Sequence, residues 1–170
     1  MAFLNPEKII SSLSLRENMS VADFGCGSGG WSIPLAQKIK DGQIYAIDVT
    51  EESLSALKSK INSERLGNIR VTRADLEKGS GLRNEFLDMV VVSNILFQAE
   101  NKSSIIKEAK RVLKKGGQML VVDWLPNAPG GPQERVSAEE VRSLAQENGF
   151  IFKEEVDAGV YHYAHLYEKN

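Results

Sequence analysis

The sequence predicts an α/β fold, a doubly wound and mostly parallel sheet that ends in an antiparallel hairpin. Three observations predict it. Short apolar segments alternate with segments of helical spacing, the order that buries a parallel sheet beneath helices on both faces. The last two apolar segments are joined by only a few residues around Ala158-Gly159, which permits an antiparallel pair and excludes a parallel crossover. The run Val21-Ala22-Asp23-Phe24-Gly25-Cys26-Gly27-Ser28-Gly29-Gly30 leads from a strand into a tight glycine turn, where the backbone takes positive φ and lets a ligand come close.

Taken in order, Asn5 caps a first helix with Pro6 at its opening position, and Ile9, Ile10 and Leu13 supply the apolar face. Val21 to Phe24 reads as a short buried strand. Trp31 to Lys40 reads as a helix, with Pro34 tolerated in the first turn, where amides lack partners. Asp41-Gly42 turns the chain into a second strand, Gln43 to Val49. Thr50 is placed to cap the next helix, whose start Glu51 and Glu52 favour and whose buried stripe is Leu54, Leu57 and Ile61. Ile69 to Ala74 and Leu87 to Ser93 are the third and fourth strands, the latter apolar nearly throughout, as a covered parallel strand should be. Ser104 to Lys114 is expected to be a helix that stops at Gly116-Gly117, ahead of a fifth strand, Met119 to Trp124. After the proline- and glycine-rich loop Pro126 to Pro132, Ser137 and Glu140 form a capping box for a helix ending at Asn148-Gly149. Phe150 to Val156 and Tyr161 to Tyr167 make the closing hairpin.

The length of 170 residues and the ordinary balance of 42% hydrophobic and 26% charged residues fit one soluble domain over 1–170. A net charge of −2 gives no general attraction for nucleic acid or an anionic membrane. The basic stretch Lys107 to Lys115 (with Lys110, Arg111 and Lys114) interleaves with Ile105, Ile106, Ala109, Val112 and Leu113, and reads as the solvated face of a packed helix. One cysteine excludes an internal disulfide. The start, Met1 to Lys8, lacks a leader core, and no apolar run reaches the roughly 18 residues of a membrane helix, so a cytoplasmic protein is expected.

Two ligands compete for the glycine turn. Gly25, Gly27 and Gly30 satisfy the G-x-G-x-x-G spacing of a dinucleotide site, with Asp48 at the distance of a ribose-binding acid. Asp23 tips the balance, because a carboxylate beside a pyrophosphate is repelled while a cationic ligand group is attracted. S-adenosylmethionine, with its ammonium and sulfonium, meets that demand.

At this point the chain resembles the class I S-adenosylmethionine-dependent methyltransferases over almost its whole length. Four segments carry the resemblance: Asp23-Phe24-Gly25-Cys26-Gly27-Ser28-Gly29, Ala46-Ile47-Asp48, Phe86-Leu87-Asp88-Met89-Val90-Val91 and Arg111-Val112-Leu113-Lys114-Lys115-Gly116-Gly117. In the last, Lys115 stands where proline is more common. Arg135-Val136-Ser137 and Gly149-Phe150 are similar to the corresponding parts of the small, type-11-like enzymes of ubiquinone and menaquinone biosynthesis. The resemblance implies a Rossmann-like sheet of seven strands with the last antiparallel and S-adenosylmethionine across the strand ends. It places the turn containing Gly25, Cys26, Gly27 and Gly29 under the methionine part and ribose, and Asp23 near the ammonium through water. Asp48 would accept from the ribose hydroxyls and Asp75 from the adenine amino group, with Val49 and Leu76 sandwiching the ring and Ser93 and Asn94 bordering the methyl donor. Blander roles compete: Asp48 as a helix cap, Asp75 as a turn residue, Cys26 as a small packed residue. Asp88 lies at the wrong end of its strand for a ligand and is expected to be structural.

Methyl transfer needs alignment more than acid–base help. If the acceptor must lose a proton, His162 and Asp123 are the candidate bases, and Trp124 lines the acceptor side with Asp123. His162 and His165 point to opposite faces of their strand and cannot form a ligand pair. Ser93-Asn94-Ile95-Leu96 lacks the motif used on planar amides, and Phe97-Gln98 stands where many relatives carry histidine. Little chain is left to choose a substrate, so the acceptor is a small or exposed molecule, or a second copy or partner subunit completes the site. An accessory cofactor-binding subunit and a nicotinamide-dependent oxidoreductase are the competing functions.

Overall fold

The computed structural model describes residues 4–170; Met1, Ala2 and Phe3, which open the segment read above for a leader, lie outside them. In chain order the elements are α1 (Pro6–Ser12), β1 (Ser20–Phe24), α2 (Ser32–Lys38), β2 (Gln43–Asp48), α3 (Glu51–Glu64), β3 (Ile69–Arg73), β4 (Leu87–Ser93), a 3-10 turn (Leu96–Gln98), α4 (Lys102–Val112), β5 (Leu113–Trp124), α5 (Ala138–Glu147), β6 (Phe150–Val156) and β7 (His162–Lys169). Seven strands form one sheet in the order β3-β2-β1-β4-β5-β7-β6. The first five pair in parallel, and β7 runs antiparallel to both β5 and β6. This is the predicted fold.

The apolar runs are continuous because both sheet faces are covered. Along β4, Val90 and Val92 point into a core with Phe24, Val121, Tyr163 and residues of α4 and α5. Met89 and Val91 point the other way, toward α1 and α2, with Val21, Ile44, Leu120 and Leu166. After β3 the chain crosses β1 and β2 to begin β4, so the strand order reverses between β1 and β4. Open α/β sheets place their ligand crevice at that reversal, outside the carboxyl ends of the strands.

Local signals explain most element ends. Asn5 Oδ1 accepts from the Lys8 amide at 3.1 Å and Ser137 Oγ from the Glu140 amide at 3.1 Å, the expected N-caps. Gly149, at φ +79°, ends α5. Asp88 is structural, as expected: it accepts from the Ser20 amide at 2.8 Å and from Lys114 at 2.9 Å.

Several elements differ from expectation. Trp31 is the N-cap of α2 rather than its first residue, and the helix ends at Lys38. Thr50 occupies the N-cap of α3 without a side-chain cap bond; its own amide donates to Asp48 Oδ1 instead. The α4 helix runs Lys102–Val112, two residues ahead of the predicted span, because Asn101 Oδ1 caps it through the Ser104 amide. Leu113 then pairs at once with Leu87, and Gln118 with Met89, so residues 114–117 bulge from β5. Gly116-Gly117 serves that bulge, not a helix stop, with Gly116 at φ +74°. The basic stretch is solvated as expected at Lys107, Lys114 and Lys115, whereas Arg111 is tied down. Arg111 donates to Glu108, to Leu82 O and to Asn84 Oδ1, and buried Glu108 also accepts from the Ser80 amide and hydroxyl.

Candidate active site

The turn after β1 is built by backbone and glycine together. The amides of Gly25 and Cys26 both donate to Ile47 O, at 2.8 and 3.0 Å, and fold the turn over the end of β2. Gly25 has φ +75°, and a Cβ there would stand 2.2 Å from Ile95 Cγ2. Gly29, at φ +94°, is pressed against Leu57 Cδ1 at 2.5 Å by the same measure. Gly30 faces open space. The third glycine of a dinucleotide fingerprint serves close helix–strand packing; here the closely packed glycine is Gly29, against Leu57 of α3, and it is out of register with the G-x-G-x-x-G spacing.

Asp48 closes β2 and ties this turn to the next helix. Its Oδ2 accepts from the Gly27 amide at 2.8 Å and its Oδ1 from the Thr50 amide at 2.9 Å. A carboxylate oxygen has two lone pairs, so each retains a position to accept from a ligand. The helix-start role weighed against binding is therefore met in part, by an acceptor for Thr50, and the two roles coexist.

A cleft of about 320 Å³ opens here, lined by Gly25, Asp48, Val49, Asp75 and Leu76, with Ile95, Gln98 and Ala99 among its further residues. Five residues singled out from the sequence thus meet on one surface. Val49 is an apolar side chain left 57% exposed, whereas Leu76 is buried. Asp75 Oδ2 pairs with Lys78 Nζ at 2.9 Å and Oδ1 accepts from the Glu77 amide. The Lys78 ammonium beside it holds the Asp75 carboxyl below the usual carboxylate range.

The other candidates lie outside that lining. Asp23 is completely buried behind the turn, where Oδ2 accepts from Ser32 Oγ at 2.6 Å and Oδ1 has no hydrogen bond among the described residues. Burial pushes its carboxyl up to about 6, against the pull of the Ser32 hydrogen bonds. Cys26 is buried, and burial, with the charges of Asp23 and Asp48, pushes its thiol up, so it packs as a neutral side chain. Gly27 and Gly29 shape the turn from within. Ser93 is buried at the end of β4. Asn94 follows in the left-handed region at φ +55°; its amide donates to Val122 O, and its Oδ1 is buried without a partner among the described residues.

A second group gathers at the ends of β5 and β7. Asp123 is buried, with Oδ1 accepting from the Trp124 amide at 2.8 Å and Oδ2 making no hydrogen bond among the described residues. Burial raises its carboxyl to about 6, while the amides of Trp124, Phe97 and Leu96 and the charge of Lys102 pull the other way. His162 pairs with Trp124 across the strands, ring centroids 4.3 Å apart. His165 lies on the other face, against Tyr167 and Phe152, as the strand period requires. The loop Pro126 to Pro132 is folded around Arg135, whose guanidinium donates to the carbonyls of Leu125, Pro126, Gly130 and Pro132. Sequence reasoning marked Arg135 for its place in a pattern and missed this role. It also missed Ser53, Glu77, Ile95 and Gln98 on the cleft wall, whose placement depends on long-range packing.

A family model described as a methyltransferase domain matches residues 21–117, more than half of the chain. The chain belongs to this methyltransferase domain family. The match takes in the glycine turn, Asp48, Asp75, Ser93 and Asn94 together. Among curated proteins, a demethylmenaquinone methyltransferase of Listeria welshimeri is 28% identical over 123 residues, 71% of this chain and 52% of that protein. One from Geobacillus kaustophilus is 25% identical over 118 residues, 69% of this chain and 50% of that protein. The domain thus spans about half the length of these curated relatives. Among solved structures, a SAM-dependent methyltransferase from Aquifex aeolicus superposes with a TM-score of 0.91 at 26% identity, covering 99% of this chain and 91% of that one. The [4+2]-cyclase SpnF superposes at 0.85 with 15% identity, over 96% and 79% of the two chains, a likeness of fold alone. The family that matches is a methyltransferase domain family, the reading the sequence favoured over a dinucleotide site.

Proposed function

We propose that the chain, as a single domain over 1–170, transfers a methyl group from S-adenosylmethionine to a small-molecule acceptor in the cytoplasm. The observation that carries this reading is the cleft at the strand reversal, which gathers Gly25, Asp48, Val49, Asp75 and Leu76. The residues suit such a donor. Asp48 has outward acceptor positions for two ribose hydroxyls, and Asp75 one for an adenine amino group. Exposed Val49 and buried Leu76 give the ring apolar neighbours. Asp23 acts from behind the turn, as a negative charge present above a pH of about 6. Among the described residues no helix is long and apolar enough to cross a membrane.

The donor, when bound, supplies a methyl group already activated on a cationic sulfur, with a neutral thioether as leaving group. The chain's part is to hold the acceptor in line and exclude water. Of the two candidate bases, Asp123 is favoured over His162. Its Oδ2 makes no hydrogen bond among the described residues, it lies one residue before the end of β5 beside the segment after β4, and burial raises its carboxyl to about 6, toward the pH at which a base works. The names of the curated relatives make a demethylated quinol the first acceptor to try. Labelled S-adenosylmethionine should transfer its methyl group to that quinol or to a small molecule of a cell extract. Label in no product, despite donor binding, would instead support an accessory subunit.

A further inference from the structure

Two facing parts of the donor cleft's lining come from different connections of the chain. One leaves β3 and runs from Ala74 to Glu77; the other runs from Ile95 through the 3-10 turn to Ala99 and takes in Ile105 of α4. In the sheet β3 and β4 are held apart by β2 and β1, so strand pairing does not set the gap between the walls. Glu77 bridges it. Its carboxylate accepts from the amide of Asn101 through Oε1, and from the amide of Glu100 through Oε2 at 3.4 Å. Those amides enter α4, where unpaired N–H groups and the helix dipole favour an anion. The Asn101 side chain is used on the Ser104 amide, so it does not compete. On its other side the Glu77 amide donates to Asp75 Oδ1 at 3.1 Å, which couples the bridge to the orientation of the neighbouring acid.

We propose that Glu77 is a positioning residue for the adenine end of the donor site: its carboxylate latches the two walls at the width the ring requires. The latch rests on the donor reading above and concerns ground-state binding, not the transfer step. The test is calorimetric titration of S-adenosylhomocysteine and of 5′-methylthioadenosine, which lacks the amino-acid end, into wild type, Glu77→Ala and Glu77→Gln. Glu77→Ala should weaken both ligands by a similar factor, about tenfold, the order expected on losing charge-assisted hydrogen bonds. Glu77→Gln keeps one acceptor oxygen and should lose less than Glu77→Ala. In turnover the KM for the donor should rise with kcat unchanged. Wild type that binds both ligands beside a Glu77→Ala within twofold of it overturns the latch and leaves the donor reading intact. A loss confined to S-adenosylhomocysteine also overturns it, since that would put Glu77 at the amino-acid end. Wild type that binds neither ligand overturns the donor reading itself.

Discussion

Asparagine at position 48 keeps the shape of aspartate and removes one of its two acceptors. Gly27 donates to Oδ2 at 2.8 Å and Thr50 to Oδ1 at 2.9 Å, so each oxygen serves one side of the crevice. An amide has one acceptor oxygen, and its NH₂ would aim a donor at whichever N–H it faced. A stranded buried donor costs about 1–3 kcal/mol. Asp48 is half-buried, so water relieves part of this, and about 1–2 kcal/mol of folding stability should be lost in Asp48→Asn. The same substitution removes an outward acceptor for the ribose, and a loss of about 1.4 kcal/mol is tenfold in affinity. Urea unfolding at pH 7 reads the first effect and calorimetry with S-adenosylhomocysteine the second. Asp48→Ala, which removes both acceptors, should weaken binding by about 1–3 kcal/mol. An Asp48→Asn protein that folds and binds as wild type does would refute the assignment of Asp48 to both roles.

Gly25→Ala sets a Cβ 2.2 Å from Ile95 Cγ2 at φ +75°; strain plus overpacking should destabilise by about 2–4 kcal/mol in urea unfolding. For Asp23, a folded value of about 6 above the ordinary 3.8 means the proton is held more tightly when folded. Its stabilising contribution is complete below the unfolded value and is lost as pH rises through 6, so Asp23→Asn should flatten the fall in stability between pH 4 and 7 by about 1–3 kcal/mol; an unchanged slope would contradict the burial argument. Cys26 should resist a thiol reagent at pH 8 until the chain is unfolded, which a colorimetric thiol count in native and denaturing buffer would check.

The strands were legible because each is short and apolar between clear breaks; Leu87–Ser93 agrees residue for residue with its predicted span. The helix before β5 was misplaced because helical spacing and lysines continue past Val112, while the pairing of Leu113 with Leu87 that ends it is a tertiary event. Asn101, in a loop ahead of an apolar repeat, was a readable N-cap signal that the predicted start at Ser104 passed over. Of the residues gathered in the cleft, Asp48 could be read from its spacing after the glycine turn, whereas Val49, Asp75 and Leu76 came only with the family resemblance; all four lie at or within three residues of strand ends. The seclusion of Asp23 was not readable, since it depends on Ser32 and the turn folding over it. Nor was the Glu77 bridge, whose partners lie 23 and 24 residues away in sequence.

On the proposed function, the crevice outside β1, β2 and β3 receives the adenosyl methyl donor. Parallel calorimetric titrations of the purified chain with S-adenosylhomocysteine and with NAD test it most directly. S-adenosylhomocysteine should bind saturably at one site, an affinity lost in large part in Asp48→Ala, and NAD should give no heat; saturation by NAD with none by S-adenosylhomocysteine would contradict the proposed function.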